Sequence, residues 1–459
     1  MMIAESIFKA YDIRGIVDET LTTEAVELIG KAYGSEARAQ QQKSVVIARD
    51  GRLSGLKVFE ALTRGLVATG CDVIDIGMVP TPVLYFATHQ LKTGNGIMIT
   101  GSHNPPQYNG LKMVLAGHTL HGDMIQKLLQ RIKQNNFVSA ESVGEYRQQD
   151  VAEDYLNTIC ADVKLRKPLK VAVDTGNGVA GKLAPELFRR MGCDVVELFS
   201  EIDGNFPNHH PDPSKLENLV DLEKAIDEYA VDLGLAFDGD GDRVGIIDNK
   251  RNIIWPDRQM MLYAEDVLSR NPGAQIIFDI KSSYQLAKEI EKLGGKALMW
   301  KSGHSLIKAK MKETGALLAG EMSGHIFFKE RWYGFDDGLY SAARMLEILS
   351  QKDQAADEVF SALPDSYNTP ELQIQFAEGE HYKFMDKLKA VADFGDADIF
   401  TIDGMRVNYD YGWGLIRPSN TMPCLVLRFE ADSEDGLKKV QEKFRQQILN
   451  VDDSLQLEF

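Results

Sequence analysis

Along most of the chain, short apolar runs of strand length alternate with longer stretches in which apolar residues recur every three or four positions. The runs SVVIARD (44–50), CDVIDIG (71–77), GIMIT (96–100), KVAVD (170–174), LGLAFD (233–238), QIIFD (275–279) and ALLAG (316–320) predict strands, most of them ending in Asp, Gly or Thr. Between them, LKVFEALTRGLVAT (56–69) and the stretch around Met261 have the spacing of crossover helices. Alternation of this kind predicts an α/β class with mostly parallel sheets, and it puts the chemistry in loops at the carboxyl ends of the strands. Three times an apolar strand runs into a small polar loop (GIMIT into GSHNPP, LGLAF into DGDGDR, ALLA into GEMSGH), which is a weak triplication. After position 370 the pattern changes. TPELQIQF, TIDGMRVNY and CLVLRFEA alternate, and GLKKVQEKFRQQIL is amphipathic, as expected of a smaller α+β domain with an antiparallel sheet. Acidic, Pro-rich and polar breaks divide the chain into domains over 1–150, 151–254, 255–366 and 367–459.

Composition narrows the partners. The chain has 459 residues, 44% hydrophobic and 26% charged, the balance of folded domains. A net charge of −17 repels polyanions, so neither nucleic acid nor an anionic bilayer is expected as a partner. Four cysteines without CxxC spacing indicate neither a disulfide scaffold nor a structural zinc site. With no leader-like N-terminus and no long uncharged apolar segment, the expected location is the cytoplasm.

Four polar segments carry the candidate chemistry. In TGSHNPPQYNGLKM (100–113), Gly101 is read as the residue that lets the backbone turn and expose Ser102, with Pro105 and Pro106 stiffening the far side. Ser102 is a candidate nucleophile, with His103 adjacent, but the segment lacks the GxSxG pattern of a hydrolase elbow. In DGDGDR, Asp238, Asp240 and Asp242 alternate with glycine after a strand, so one irregular loop can turn three carboxylates toward a hard cation such as Mg²⁺. An EF-hand is excluded, since Arg243 stands where its turn glycine belongs and Asn249 where its final Glu belongs. GEMSGH (320–325) offers Glu321 and Ser323 to vicinal hydroxyls. RPSNTMP (417–423) gathers a guanidinium, two hydroxyls and an amide suited to phosphate, and the preceding GWG is read as flexible with an aromatic anchor. Pro418 removes a backbone donor, so this grip leans on side chains. The pair His209 and His210 reads as a structured loop rather than a zinc site, and Met260 and Met261 as core filling.

These motifs, in this order and over essentially the whole chain, resemble the α-D-phosphohexomutase superfamily, and within it the bacterial bifunctional phosphomannomutase/phosphoglucomutase enzymes. The resemblance extends to FKAYDIRG with Tyr11 and Arg14, to DIKSS with Lys281, and to KSGHSLIK with His304. It implies three related α/β domains with mixed, mostly parallel sheets and a smaller, mobile C-terminal α+β domain, heart-shaped around a central cleft. It also implies a monomer that reversibly converts hexose 6-phosphate and α-D-hexose 1-phosphate, of both mannose and glucose. A phosphorylated Ser102 would act through a hexose 1,6-bisphosphate that reorients, and glucose or mannose 1,6-bisphosphate would be the activator. One Mg²⁺ per chain would be held by Asp238, Asp240, Asp242 and the phosphorylated Ser102. Arg14, Lys112 and His325 would lie near the reacting oxygens, with His103 and Arg243 on the phosphoserine. Glu321, Met322, Ser323 and His325 would hold the sugar with Tyr11, Lys281 and His304, while Arg417, Ser419, Asn420 and Thr421 would hold the distal phosphate. The rival readings are a phosphoglucosamine mutase, a metal-dependent phosphatase that releases inorganic phosphate, and a non-catalytic sugar-phosphate-binding protein.

Overall fold

The computed structural model describes residues 3–377, 379–419, 422–457 and 459. Among them are four sheets. The first runs Ile13–Ile16, Tyr108–Leu115, Gly96–Ile99, Ser44–Arg49, Asp72–Met78, Tyr146–Gln148, and its last four strands are parallel. The second is ordered Ile253–Ile254, Val244–Asp248, Leu233–Phe237, Lys170–Asp174, Asp194–Leu198, with its last three strands parallel. In the third, the parallel strands Lys296–Trp300, Gln275–Asp279 and Leu318–Gly320 are followed by antiparallel Ile326–Phe328. The fourth sheet is antiparallel throughout, around Cys424–Ala431, Gly412–Pro418 and Met405–Tyr409.

The triplication has a concrete form. In each of the first three sheets a buried parallel strand turns at its carboxyl end and returns as its antiparallel neighbour, and the polar motif is the turn: Gly96–Ile99 to Tyr108–Leu115, Leu233–Phe237 to Val244–Asp248, Leu318–Gly320 to Ile326–Phe328. The fourth sheet repeats the device, since Gly412–Pro418 returns as Cys424–Ala431. Arg417 and Pro418, read from sequence as loop, therefore end a strand. GWG is not a flexible element either. A side chain at Gly414 would come 2.4 Å from the Phe444 ring, and Trp413 is buried with its indole donating to Glu430 at 3.0 Å beneath the Arg406 guanidinium.

Each unit has a core of its own, and the first three share a further one. One apolar cluster runs through the first three units, from Ile74 and Phe86 through Val171 and Phe237 to Phe278 and Leu346. Helix Thr81–Gln90 ties it together. This helix is buried from Thr81 to Thr88 and sets Phe86 edge-on to Tyr155 and stacked at 6.0 Å on Trp332. Full burial of such a side chain contributes about 1.5–3 kcal/mol. Met260 and Met261 fill this core as expected. The fourth unit has its own core around Val407, Leu427, Phe429 and Phe444, and among the described residues Ile280, Trp413 and Leu415 form a small buried apolar cluster between it and the third.

Candidate active site

Ser102 sits on the first hairpin turn, 4% exposed, with φ at +50°. A non-glycine residue in that region stores about 1–3 kcal/mol of strain. The sharp turn is thus made at Ser102 itself and not at Gly101, whose lack of a side chain serves space: a Cβ there would fall 2.4 Å from Arg52 Cζ. Arg52 explains how the turn is held. Its Nε donates to Asp50 (3.2 Å), one terminal nitrogen to the carbonyls of Pro105 (2.7 Å) and Tyr108 (3.0 Å), and the other to those of Ser102 (2.8 Å) and Asn104 (2.6 Å). All five guanidinium N–H groups are satisfied, which no other side chain could do. Nothing in the sequence singles out Arg52, because four of its acceptors are backbone carbonyls about fifty positions downstream.

The second hairpin turn packs onto the first so closely that a side chain at Gly239 would meet the Ser102 carbonyl at 2.4 Å. Ser102 Oγ donates to Asp238 Oδ2 at 3.2 Å and lies 3.2 Å from His103 Nδ1. Asp238, Asp240 and Asp242 are fully buried, and a ligand atom from each can be chosen so that all three lie within 4.8 Å of one another. Burial pushes Asp238 up to about 7 against the pull of Arg243, whose Nε donates to it at 2.9 Å. Lys112, on the returning strand of the first hairpin, donates to Asp240 at 2.7 Å and to Asp242; burial disfavours its charge, but these carboxylates hold its pKa well above the ordinary lysine value. The triad fits a hard divalent cation. Oδ1 of Asp240 and Oδ1 of Asp242 are buried without hydrogen-bond partners, and among the described residues the three carboxylates face Lys112, Arg243 and, at 3.5 Å from Asp242, the His325 ring.

The other walls come from the remaining turns. His325 Nδ1 lies 3.1 Å from Asp336 Oδ2 and 3.5 Å from Asp242 Oδ1, and the ring stacks on His304, which meets Tyr11 edge-on. Burial works against a charged His325, yet Asp242 and Asp336 outweigh it and raise its pKa. Asp336 is a residue the motif reading passed over. It also takes a hydrogen bond from Lys308 at 2.7 Å, and its neighbour Asp337 caps helix Gly338–Gln351. Glu321 accepts from the Gly303 N–H at 2.5 Å, its Oε2 is buried and unpaired, and burial holds its carboxyl up to about 7. Arg14 pairs with Asp12 at 2.5 Å and also donates to Asn104 of the serine loop. Lys281 donates to Glu371 (2.7 Å), and Arg417 to Asp403 (3.0 Å) with its Nε left without a partner.

Tyr11, Arg14, Ser102, His103, Lys112, Arg243, Lys281, His304, Glu321, Ser323, His325, Arg417 and Ser419 line one cleft of about 260 Å³. Met322 is displaced from it. It lines a small hollow beside Pro213 and Trp255 that adjoins the cleft and shares Ser214 and Ser323 with it, and its backbone N–H is tied to Asp279 at 3.2 Å. Asn420 and Thr421 lie outside the described residues. His209 pairs with Asp174 at 2.9 Å, while His210 reaches the His103 carbonyl, so the histidine pair is indeed loop structure that buttresses the serine turn.

Comparison with known proteins covers the chain end to end. Residues 5–139, 153–251 and 255–367 match alpha/beta/alpha domains I, II and III of phosphoglucomutase/phosphomannomutase, and residues 371–447 match its C-terminal domain. A phosphomannomutase/phosphoglucomutase of Pseudomonas putida is 55% identical over 455 residues, spanning 99% of this chain and 98% of its own length. A phosphoglucomutase of Neisseria meningitidis is 53% identical over 445 residues, 96% of each chain. The crystal structure of a phosphoglucomutase/phosphomannomutase family protein from Burkholderia thailandensis has a TM-score of 0.95 at 53% identity, covering 100% of both chains. With all four domain types matched in order and identity above half along the whole length, the chain belongs to the phosphoglucomutase/phosphomannomutase family of α-D-phosphohexomutases.

Proposed function

We propose that this protein reversibly converts hexose 6-phosphate and α-D-hexose 1-phosphate, of mannose and of glucose, through a phosphoserine at Ser102 and a hexose 1,6-bisphosphate that turns end for end in the cleft. One observation carries the reading: Ser102 Oγ lies 3.2 Å from the carboxylate of Asp238 at the junction of two hairpin turns, in a cleft whose opposite wall bears Arg417 and Ser419.

In the first half-reaction a sugar hydroxyl attacks the phosphorus, a new sugar O–P bond forms, the Ser102 Oγ–P bond breaks and the hydroxyl proton leaves to the cleft wall; in the second, after the bisphosphate has turned, Ser102 Oγ attacks the other phosphorus, the Oγ–P bond forms again, that sugar O–P bond breaks and the freed sugar oxygen takes up a proton. His325, oriented by Asp336, is placed to take that proton and to return it in the reverse step. Asp238, Asp240, Asp242 and the phosphorylated Ser102 would hold one Mg²⁺, which when bound offsets the charge spreading over the phosphoryl oxygens. Arg243, with a buried Nη2 that lacks a partner, and His103 face the serine phosphate. Arg14 and Lys112 add fixed positive charge near the transferring group.

A rotation that exchanges C1 with C6 roughly exchanges O3 with O4, so Glu321 Oε2 and Ser323 grip either orientation through the same contacts. Mannose and glucose differ only at C2, and a grip that ignores O2 accepts both. The distal phosphate goes to the unpaired Nε of Arg417 and to Ser419, joined by Asn420 and Thr421, with Tyr11, Lys281 and His304 lining the path between. The domains run 1–150, 151–254, 255–366 and 367–459, and the last, with its separate core, swings to admit and enclose the sugar. Our reading is of a monomer acting in the cytoplasm, with the cleft lined by residues of one chain; among the described residues no helix is long and apolar enough to cross a membrane. Rates on glucose, mannose and glucosamine 1-phosphates, measured together with inorganic phosphate release, test the reading. Turnover of the first two without phosphate release is expected; preference for glucosamine 1-phosphate, or net release of phosphate, overturns it.

A further inference from the structure

Between the first and third units lies a hollow of about 330 Å³ that shares no lining residue with the cleft. That is the lower end of the size range of small-molecule pockets. Its floor is apolar and aromatic. Tyr333 and Phe335 lie with their rings parallel at 6.0 Å, His89 packs against Tyr333 at 4.9 Å, and Val114 and Met311 close the sides. Its mouth is basic: Lys308, Lys312, Lys329, His89 and His118 line it, with no Asp or Glu among the lining residues. In a chain of net charge −17, a pocket of one sign opposite to the whole requires an explanation.

The cations lack anions to balance them. Lys308 is engaged by Asp336, but Lys312 approaches His118 Nε2 at 3.1 Å rather than a carboxylate, and Lys329 has no carboxylate at ion-pair distance among the described residues. Burial, then Lys329, lowers the pKa of His89, and burial, then Lys312, lowers that of His118. The Tyr85 ring also lines the hollow, with the Lys308 ammonium 4.0 Å from its centre. A larger hollow of about 760 Å³, between the second, third and fourth units, has no such character, since four aspartates there offset three arginines.

We propose that the hollow between the first and third units is a second ligand site, taking a nucleoside phosphate with its planar ring on the Tyr333 and Phe335 floor and its phosphates among Lys312, Lys329 and the two histidines at the mouth. Neither the phosphoserine nor the mutase reading is needed for this. The test is calorimetric titration of the full-length protein with adenosine diphosphate while glucose 1,6-bisphosphate fills the cleft. Binding is expected with a Kd below about 1 mM, weakened at least about tenfold by K312E/K329E, and adenosine or inorganic phosphate alone binds more weakly than the diphosphate. Lys312 and Lys329 are exposed, so the double variant should keep its melting temperature and its mutase rate within about twofold. K312A/K329A is the second variant should the charge reversal perturb folding. No binding to the wild-type protein, binding untouched by both variants, or inorganic phosphate binding as tightly as the diphosphate would overturn the proposal.

Discussion

The first and fourth hairpin turns face each other across the cleft and are built in opposite ways. The serine turn is clamped from beneath by one guanidinium with five acceptors, is overlain by the second hairpin turn and stands on strands that pack on one side into the first unit's own core and on the other, through Met98 and Val114, into the core shared by three units. The fourth turn belongs to a unit with a separate core, and Arg417 is held by one carboxylate of its own unit, Asp403. The difference follows from the chemistry proposed. The atom that forms and breaks bonds needs a fixed address, since a misplacement of about 1 Å costs about a hundredfold in rate. The grip on the far phosphate has to let go, because the intermediate must turn between the two half-reactions.

Substitutions on the two sides should therefore fail differently. The largest effect is expected for Ser102→Ala, with turnover falling at least about a thousandfold while sugar phosphate still binds, as read by steady-state rates and calorimetry. Next comes Arg52→Lys. The ammonium keeps the charge but supplies only three donors for five acceptors, so kcat should fall about a hundredfold and unfolding free energy by about 3 kcal/mol in denaturant titration. A mild Arg52→Lys phenotype would break the contrast, because the serine turn would then need no clamp. Arg417→Ala, on the releasing side, should raise KM about tenfold with kcat changed less.

The most diagnostic effect, read in stability rather than in rate, concerns Glu321. Its folded carboxyl sits at about 7, above the ordinary value of 4.5, so the native state binds more protons than the unfolded chain between those pH values and stability falls as pH rises through that window. Glu321→Gln removes this dependence. Relative to wild type, the variant should gain up to about 3 kcal/mol between pH 4.5 and pH 7 and no more above it, measured by unfolding at several pH values. A gain independent of pH would show that burial does not set the carboxyl.

Much of this is legible in the sequence. The strand ending in Asp174 and that ending in Asp279 lie at the expected positions, and the turns carrying Ser102, the aspartate triad and Glu321 meet in one cleft. Local pattern reveals such features because an apolar run followed by glycine and polar residues is a strand feeding a loop. Arg52 was invisible because its partners are carbonyls, which every residue has. Asp336 hid inside FDDG, where Asp337 supplies an ordinary helix cap and makes the pair look structural. The strand Gly412–Pro418 was missed because two glycines and a proline disguise it. Its glycines are there for the Phe444 ring and the Glu430 carbonyl, contacts that only the folded sheet creates.

The central claim is that Ser102 Oγ carries the phosphoryl group between the two half-reactions. Peptide mass mapping of the full-length protein after incubation with isotopically labelled glucose 1,6-bisphosphate and Mg²⁺ tests it most directly. The account predicts label on Ser102 alone, discharged when glucose 6-phosphate is added. Label on another residue, or turnover with Ser102 never modified, would contradict it.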